Sequence, residues 1–137
     1  MTEGTKVFEI DGWRFNTLEE FYEEISRSVV PGAAWGHNLD AFNDILRGGF
    51  GTPDEGFRLV WNDHGRSRDA LGYPETVRQL ELRLGRCHPS NRNLVRRELE
   101  AAVRGEGPTV FDWILEIIRN HGPGGKHAED GVILELR

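Results

Sequence analysis

Residues 35–46 read WGHNLDAFNDIL. Asn38 is a good N-cap, because its short side chain offers an oxygen to an amide that the first helical turn leaves unpaired. A helix starting there sets Leu39, Phe42 and Leu46, with Ile45 beside them, along one apolar face. Asp40, Asn43, Asp44 and Arg47 recur three and four residues apart on the opposite face. Asp40 and Asp44 therefore stand one turn apart with no base between them, which costs a helix roughly 0.2–0.5 kcal/mol. Aspartate is also a poor helix former beyond the first turn. Gly48, Gly49 and Gly51 break the helix, and Phe50 stands among them without a helical or strand partner. So short a helix needs a reason for this burden outside its own stability.

The flanking chain supplies a frame. KVFEI (6–10) reads as a strand closed by Asp11-Gly12. Thr17-Leu18-Glu19-Glu20 has the form of a capping box, with Glu20 expected to reach back to the cap. Leu18, Phe21, Tyr22, Ile25 and Val29 follow at helical spacing, and Pro31-Gly32 ends the run. After the quoted segment, FRLVW (57–61) is nearly continuous in apolar character, which predicts a strand buried on both faces. Pro74 suits a first helical turn and precedes Val77, Leu80, Leu84 and Cys87. Ser90 is read as the cap of a further helix striped by Leu94, Val95, Leu99, Ala102 and Val103 and stopped by Gly105. Thr109 to Asp112 resembles another cap. VFDWILEIIRN (110–120) leaves only Asp112, Glu116 and Arg119 for water, so it should pack on more than one side. HGPGGKH (121–127) is a loop, and GVILELR (131–137) a third strand. Strands separated by helices imply an α/β fold. We expect a small three-stranded parallel sheet packed with helices, an expanded helical region at 62–108 between strands 2 and 3, and one domain over 1–137.

Composition narrows the class of partner. The 137 residues carry a net charge of −6. Residues 1–60 hold eleven acids against five Lys/Arg, whereas 61–137 hold twelve of each, so all the excess lies in the first half. An acidic half-surface repels phosphates and attracts basic proteins, although solubility alone also accounts for it. No apolar run approaches the eighteen or so residues a membrane span needs. MTEGTKVFEIDG lacks the basic-then-apolar pattern of a secretory signal. Cys87, the lone cysteine, excludes an intrachain disulfide and fits a reducing cytoplasm.

Catalytic patterns are poor. Cys87 and His88 are adjacent, so on a helix they diverge, and the apolar spacing of Cys87 makes it a core residue. His37, His64, His88, His121 and His127 show no metal-ligand spacing. GPGGKH lacks the upstream glycine and the Ser or Thr of a phosphate loop, and it precedes a strand where such a loop precedes a helix. Asp112 and Glu116, one turn apart, could be paired carboxylates, but a solvated strip on a buried helix explains them more simply. The seven acids interleaved with nine arginines across 62–108 leave no basic footprint for nucleic acid. We expect no catalytic residue, metal or cofactor.

Residues 35–46 resemble the aromatic-Gly-x-Asn-Leu-Asp-Ala-x-x-Asp-x-Leu motif of the barstar family, intracellular inhibitors of barnase-type ribonucleases. The match holds at Trp35, Gly36, Asn38, Leu39, Asp40, Ala41, Asp44 and Leu46. It extends well over 6–61, more loosely over 109–137, and says little about 62–108. The resemblance implies a three-stranded parallel sheet and an inhibitor without catalytic activity, an immunity protein acting in the cytoplasm. Its partner would be a basic extracellular or toxin ribonuclease, with no nucleic acid bound directly and no membrane. It implies that Asp44 stands in for a substrate phosphate with Asp40 beside it. Gly48 and Phe50 would lie in the contacting loop, and Trp35, Gly36 and Asn38 would shape the helix entrance. His37, Asn43 and Arg47 complete the expected partner-binding set, with the 62–108 expansion tuning partner choice. Asp40 gains from the helix dipole; Asp44 does not, and its repulsion is relieved only by a cationic partner. The barnase–barstar pair is itself a standard instance of electrostatic steering and of a dominant interfacial Asp. This chain departs from the pattern at Ala34, where the type member has a tyrosine, and at Asn43, where it has a tryptophan. A contacting glutamate of the penultimate helix falls here near Glu116 and Ile117. The departures imply a different cognate enzyme. The alternative is a non-inhibitory binding module of the same fold that recognises another basic protein.

Overall fold

A computed structural model describes residues 5–137. The first four residues, part of the stretch read above as carrying no secretory signal, lie outside the described residues. Strand β1 spans Lys6–Asp11, β2 Phe57–Asn62 and β3 Val132–Leu136. They form a parallel sheet in the order β1-β2-β3, with Lys6 beside Phe57 and Phe57 beside Val132. The central place of β2 is what its sequence requires: Phe57, Leu59, Val60 and Trp61 are all buried. A parallel strand covered on both faces has no polar side to alternate with.

Helix α1, Leu18–Ser28, follows β1, and α2, Leu39–Leu46, carries the acidic motif. Thr17 caps α1 by accepting from the Glu20 amide at 3.1 Å. Glu20 does not close the box: its carboxylate accepts from the Asn16 amide, one residue before the cap. Phe21, Tyr22 and Ile25 of α1 join Phe42, Ile45 and Leu46 of α2 in the main core. Phe21 meets Phe42 edge-on at 5.2 Å, a favourable arrangement for two aromatic quadrupoles.

The expansion contains α3, His64–Ala70, α4, Tyr73–Leu84, and α5, Arg92–Val103. The sequence gives little warning of α3, since HGRSRDA has no apolar stripe. Instead Ser67 is buried and accepts from the Trp61 indole at 3.0 Å. Pro74 sits in the first turn of α4 as its chemistry predicts. Helices α4 and α5 pair into a second apolar cluster around Leu80, Val95 and Ala102, with Val77, Leu84, Cys87 and Leu99 packed against it. Two expectations fail here. Ser90 lies within a 3₁₀ turn, Pro89–Asn91, and its own amide donates to the His88 ring, so it caps nothing. Leu94 and Val103, assigned to the apolar stripe, are 56% and 67% exposed, because α5 buries only the narrow face that meets α4.

Helix α6, Val110–Asn120, opens with a complete capping box between Thr109 and Asp112. It packs on two sides, as its girth predicts. Val110, Phe111, Ile114, Leu115 and Ile118 enter the main core, while Trp113 touches both clusters. No described helix is long and apolar enough to cross a membrane.

Candidate functional site

The motif helix is built from its entrance inward. Trp35 is buried, with its indole N–H donating to the Ser26 hydroxyl at 2.7 Å and its ring edge-on to Tyr22 at 5.6 Å. His37, at φ 47°, lies against Trp35 with ring centroids 4.6 Å apart and its Nε2 3.1 Å from the same hydroxyl. Asn38 then caps α2: Oδ1 accepts from the Ala41 amide at 2.8 Å, and Nδ2 donates to the Gly36 carbonyl at 3.2 Å. A Cβ on residue 36 would come within 2.9 Å of that Asn38 nitrogen, which explains the glycine. With Phe42, Ile45 and Leu46 buried behind it, the helix can turn only one face outward. Asp40 and Asp44 lie on that face, and both are exposed.

The far end is equally constrained. Gly48 adopts φ 100°, a conformation that an L side chain strains to reach, and a Cβ there would also run into Asp54. The Thr52 hydroxyl donates to the Ile45 and Gly49 carbonyls at 2.6 and 3.0 Å, fastening the loop under the end of α2. Phe50, itself at φ 62°, is left 44% exposed beside the acidic face.

Not every expected contact residue faces solvent freely. Asn43 is half-buried, and its Oδ1 lies 2.7 Å from Nε2 of His121, whose ring is fully buried. On the other side Nδ1 of His121 lies 2.6 Å from Asp130. Arg47 donates to Nε2 of His127 at 3.3 Å, and His127 stacks on His121. The polar strip of α2 is therefore divided. Asp40 and Asp44 look outward, whereas Asn43 and Arg47 tie the helix to the segment joining α6 and β3. His121, Asp130, Ser26 and Thr52 all support the site. None carries a local sequence signal, since each matters only through a partner distant along the chain.

The residues weighed for catalysis do not assemble. The Asp112 carboxylate accepts from the Thr109 amide and hydroxyl in the cap. Glu116 is exposed and shares with Asp112 a shallow cleft whose lining contains no histidine.

Beside Asn38 and Asp40 runs a groove of about 980 Å³, walled by α1 and α4. In it burial pushes the Tyr22 phenol above its ordinary range, with Glu19 and Asp40 adding to the effect and Arg83 opposing it. Across the α1–α4 junction Glu19 bonds to Arg78 and Gln79, and Glu75 accepts from the Leu18 amide at 2.9 Å.

The structure is thus a parallel three-stranded α/β protein that displays two carboxylates on a helix braced at both ends. The family model described as "Barstar (barnase inhibitor)" matches residues 5–87, and the chain belongs to that family. Members of the family are inhibitors rather than enzymes. The match runs through α3 and α4, further than the sequence motifs alone reached, and stops short of α5. No curated protein and no solved structure matches the chain.

Proposed function

We propose that this chain is an inhibitor of a barnase-type or toxin ribonuclease, acting in the cytoplasm by setting the outer face of α2 into the enzyme's active site. Asp44 takes the place of an RNA phosphate and Asp40 supports it, while Gly48 and Phe50 meet the rim of the cleft. The observation that carries this reading is the exposure of both carboxylates on a helix fixed at each end and backed by buried aromatics. Holding the charges in place before the encounter removes the entropy cost of ordering them during it. Asn43 is drawn toward His121 and Ala34 is small, so this face presents fewer bulky anchors than the type member's. That favours a cognate enzyme other than barnase, or a basic partner that is bound without being inhibited.

An RNA-cleavage assay separates these cases. Barnase and a panel of related ribonucleases are titrated with the chain, and at least one is expected to lose activity stoichiometrically. Asp44→Ala should weaken that inhibition by about 2 kcal/mol or more. Glu23, an exposed acid on α1, provides the control. If Asp44→Ala costs no more than Glu23→Ala, or if no ribonuclease is inhibited, the proposal fails.

A further inference from the structure

The groove beside the motif helix contains a second, opposite charge. Arg83 of α4 and Arg86 just after it line the groove together with Asn38 and Asp40 at the start of α2. Among the described residues neither arginine forms an ion pair. Glu19, the other acid of the groove, is already engaged by Arg78 and Gln79 and does not neutralise them. Arg83 is held in place, its guanidinium lying 5.0 Å from the Trp113 ring centroid. Arg86 is exposed at the outer lip, just beyond the end of α4. Apolar side chains, Leu18, Leu39 and Ile117, form part of the same lining. The surface around α2 is therefore bipolar, with the Asp40 carboxylate on one side of the groove and two guanidinium groups outside any ion pair on the other.

We infer that Arg83 and Arg86 form a specificity site for an acidic side chain of the ribonuclease partner, next to the basic cleft that receives Asp40 and Asp44. This rests on the inhibitor reading above. The physical argument is one of mismatch. An enzyme surface basic throughout would lose at the groove part of what it gains at α2, because like charges brought together at an interface oppose binding. A partner with an Asp or Glu beside its cleft gains at both places. A guanidinium suits the task, since its planar fork can hold a carboxylate with two parallel hydrogen bonds. The arrangement attracts one class of ribonuclease and repels others, which is how specificity arises from a difference of affinities.

The test uses the full chain and whichever member of the ribonuclease panel it binds most tightly. Arg83→Glu/Arg86→Glu is compared with Arg92→Glu/Arg97→Glu, which makes the same change in net charge on the exposed face of α5. Added negative charge alone speeds association with a basic enzyme. Equal or tighter binding is thus expected of the α5 pair, whereas the groove pair should bind about tenfold more weakly. Arg83→Lys, with thermal melts of every variant, separates loss of charge from loss of packing on Trp113. It should bind more tightly than the groove pair but more weakly than the parent chain, since lysine keeps the charge and loses the fork. Reversing one acid at the rim of the ribonuclease cleft to Lys should restore binding to the groove variant. If the groove pair binds as the α5 pair does while Asp44→Ala still weakens binding, the specificity site is refuted and the inhibitor reading stands. If Asp44→Ala has no effect either, the inhibitor reading itself has failed. Labelled single-stranded RNA, titrated with the free chain, should not bind. Binding abolished by the groove substitutions would overturn the assignment in favour of a phosphate ligand.

Discussion

The ring of His121 has polar partners on both sides, and its chemistry constrains them. Asp130 only accepts when ionised, so Nδ1 must carry a proton and donate to it at 2.6 Å. An Nε2–H donating to Asn43 Oδ1 would then make the ring an imidazolium; a neutral ring needs Asn43 to present its Nδ2 instead. In either state His121 links α2 to the segment before β3. Removing it leaves two polar side chains facing a void, and an unsatisfied buried group costs about 1–3 kcal/mol. His121→Ala should therefore lower the unfolding free energy from urea titration by an amount in that range, moving the midpoint down with it. It should also weaken ribonuclease binding, although His121 lies beneath the proposed interface; an unchanged midpoint would show that the link is not structural. The sequence could not reveal this role. A histidine followed by glycines reads as a loop, and its partners lie 78 residues upstream and nine downstream. The two exposed aspartates were legible because the apolar face of their own helix fixes which way they point. Glu24 makes the same contrast: its carboxylate is buried among Arg14, Arg27 and the Asp11 amide, yet its spacing marks it as an ordinary surface acid.

At the scale of elements, the sequence is clear where apolar periodicity and caps agree and obscure where polar groups do the joining. Helices α1, α2 and α6 have both signals, α4 has its apolar stripe and Pro74, and the three strands have their apolar runs. Helix α3 has neither, being held by Ser67 and Arg66, the latter donating to the Gly12 and Phe15 carbonyls. The junction of α1 and α4 is another polar joint. Burial alone would raise the pKa of Glu19, but hydrogen bonds from Gln79 and Arg78 outweigh it and hold the carboxyl below its ordinary 4.5. The folded chain thus takes up this proton less readily than the unfolded chain. The stabilisation is complete above the unfolded value and is lost as pH falls through the lowered one. Glu19→Gln should reduce the urea midpoint at pH 7 and make much less difference near pH 3. Equal losses at the two pH values would mean that the carboxylate charge contributes nothing to the joint.

For the whole molecule, the charge imbalance between the two halves becomes a geometrical one. Glu24 is neutralised by Arg14 and Arg27, and Glu19 by Arg78, so these acids contribute little field outside the protein. Asp40, Asp44, Asp54 and Glu55 form no ion pair among the described residues, and all are exposed on or just after α2. Other acids such as Glu9 and Glu23 are also exposed and outside any ion pair, but these four stand together on or after the motif helix, and under the proposed function they orient a basic partner before contact. Such steering acts over about one Debye length, roughly 8 Å at physiological ionic strength and about 3 Å at 1 M. The association rate with the ribonuclease should therefore fall steeply between 0.05 and 0.5 M salt, as stopped-flow mixing would measure, with the dissociation rate changing far less. Single substitutions should divide the same way. Asp54→Ala, at the rim of the proposed interface, should slow association, whereas Asp44→Ala, at its proposed centre, should chiefly speed dissociation. An association rate indifferent to salt would mean that the acidic face contributes contacts without guidance, leaving the charge asymmetry of the sequence to solubility.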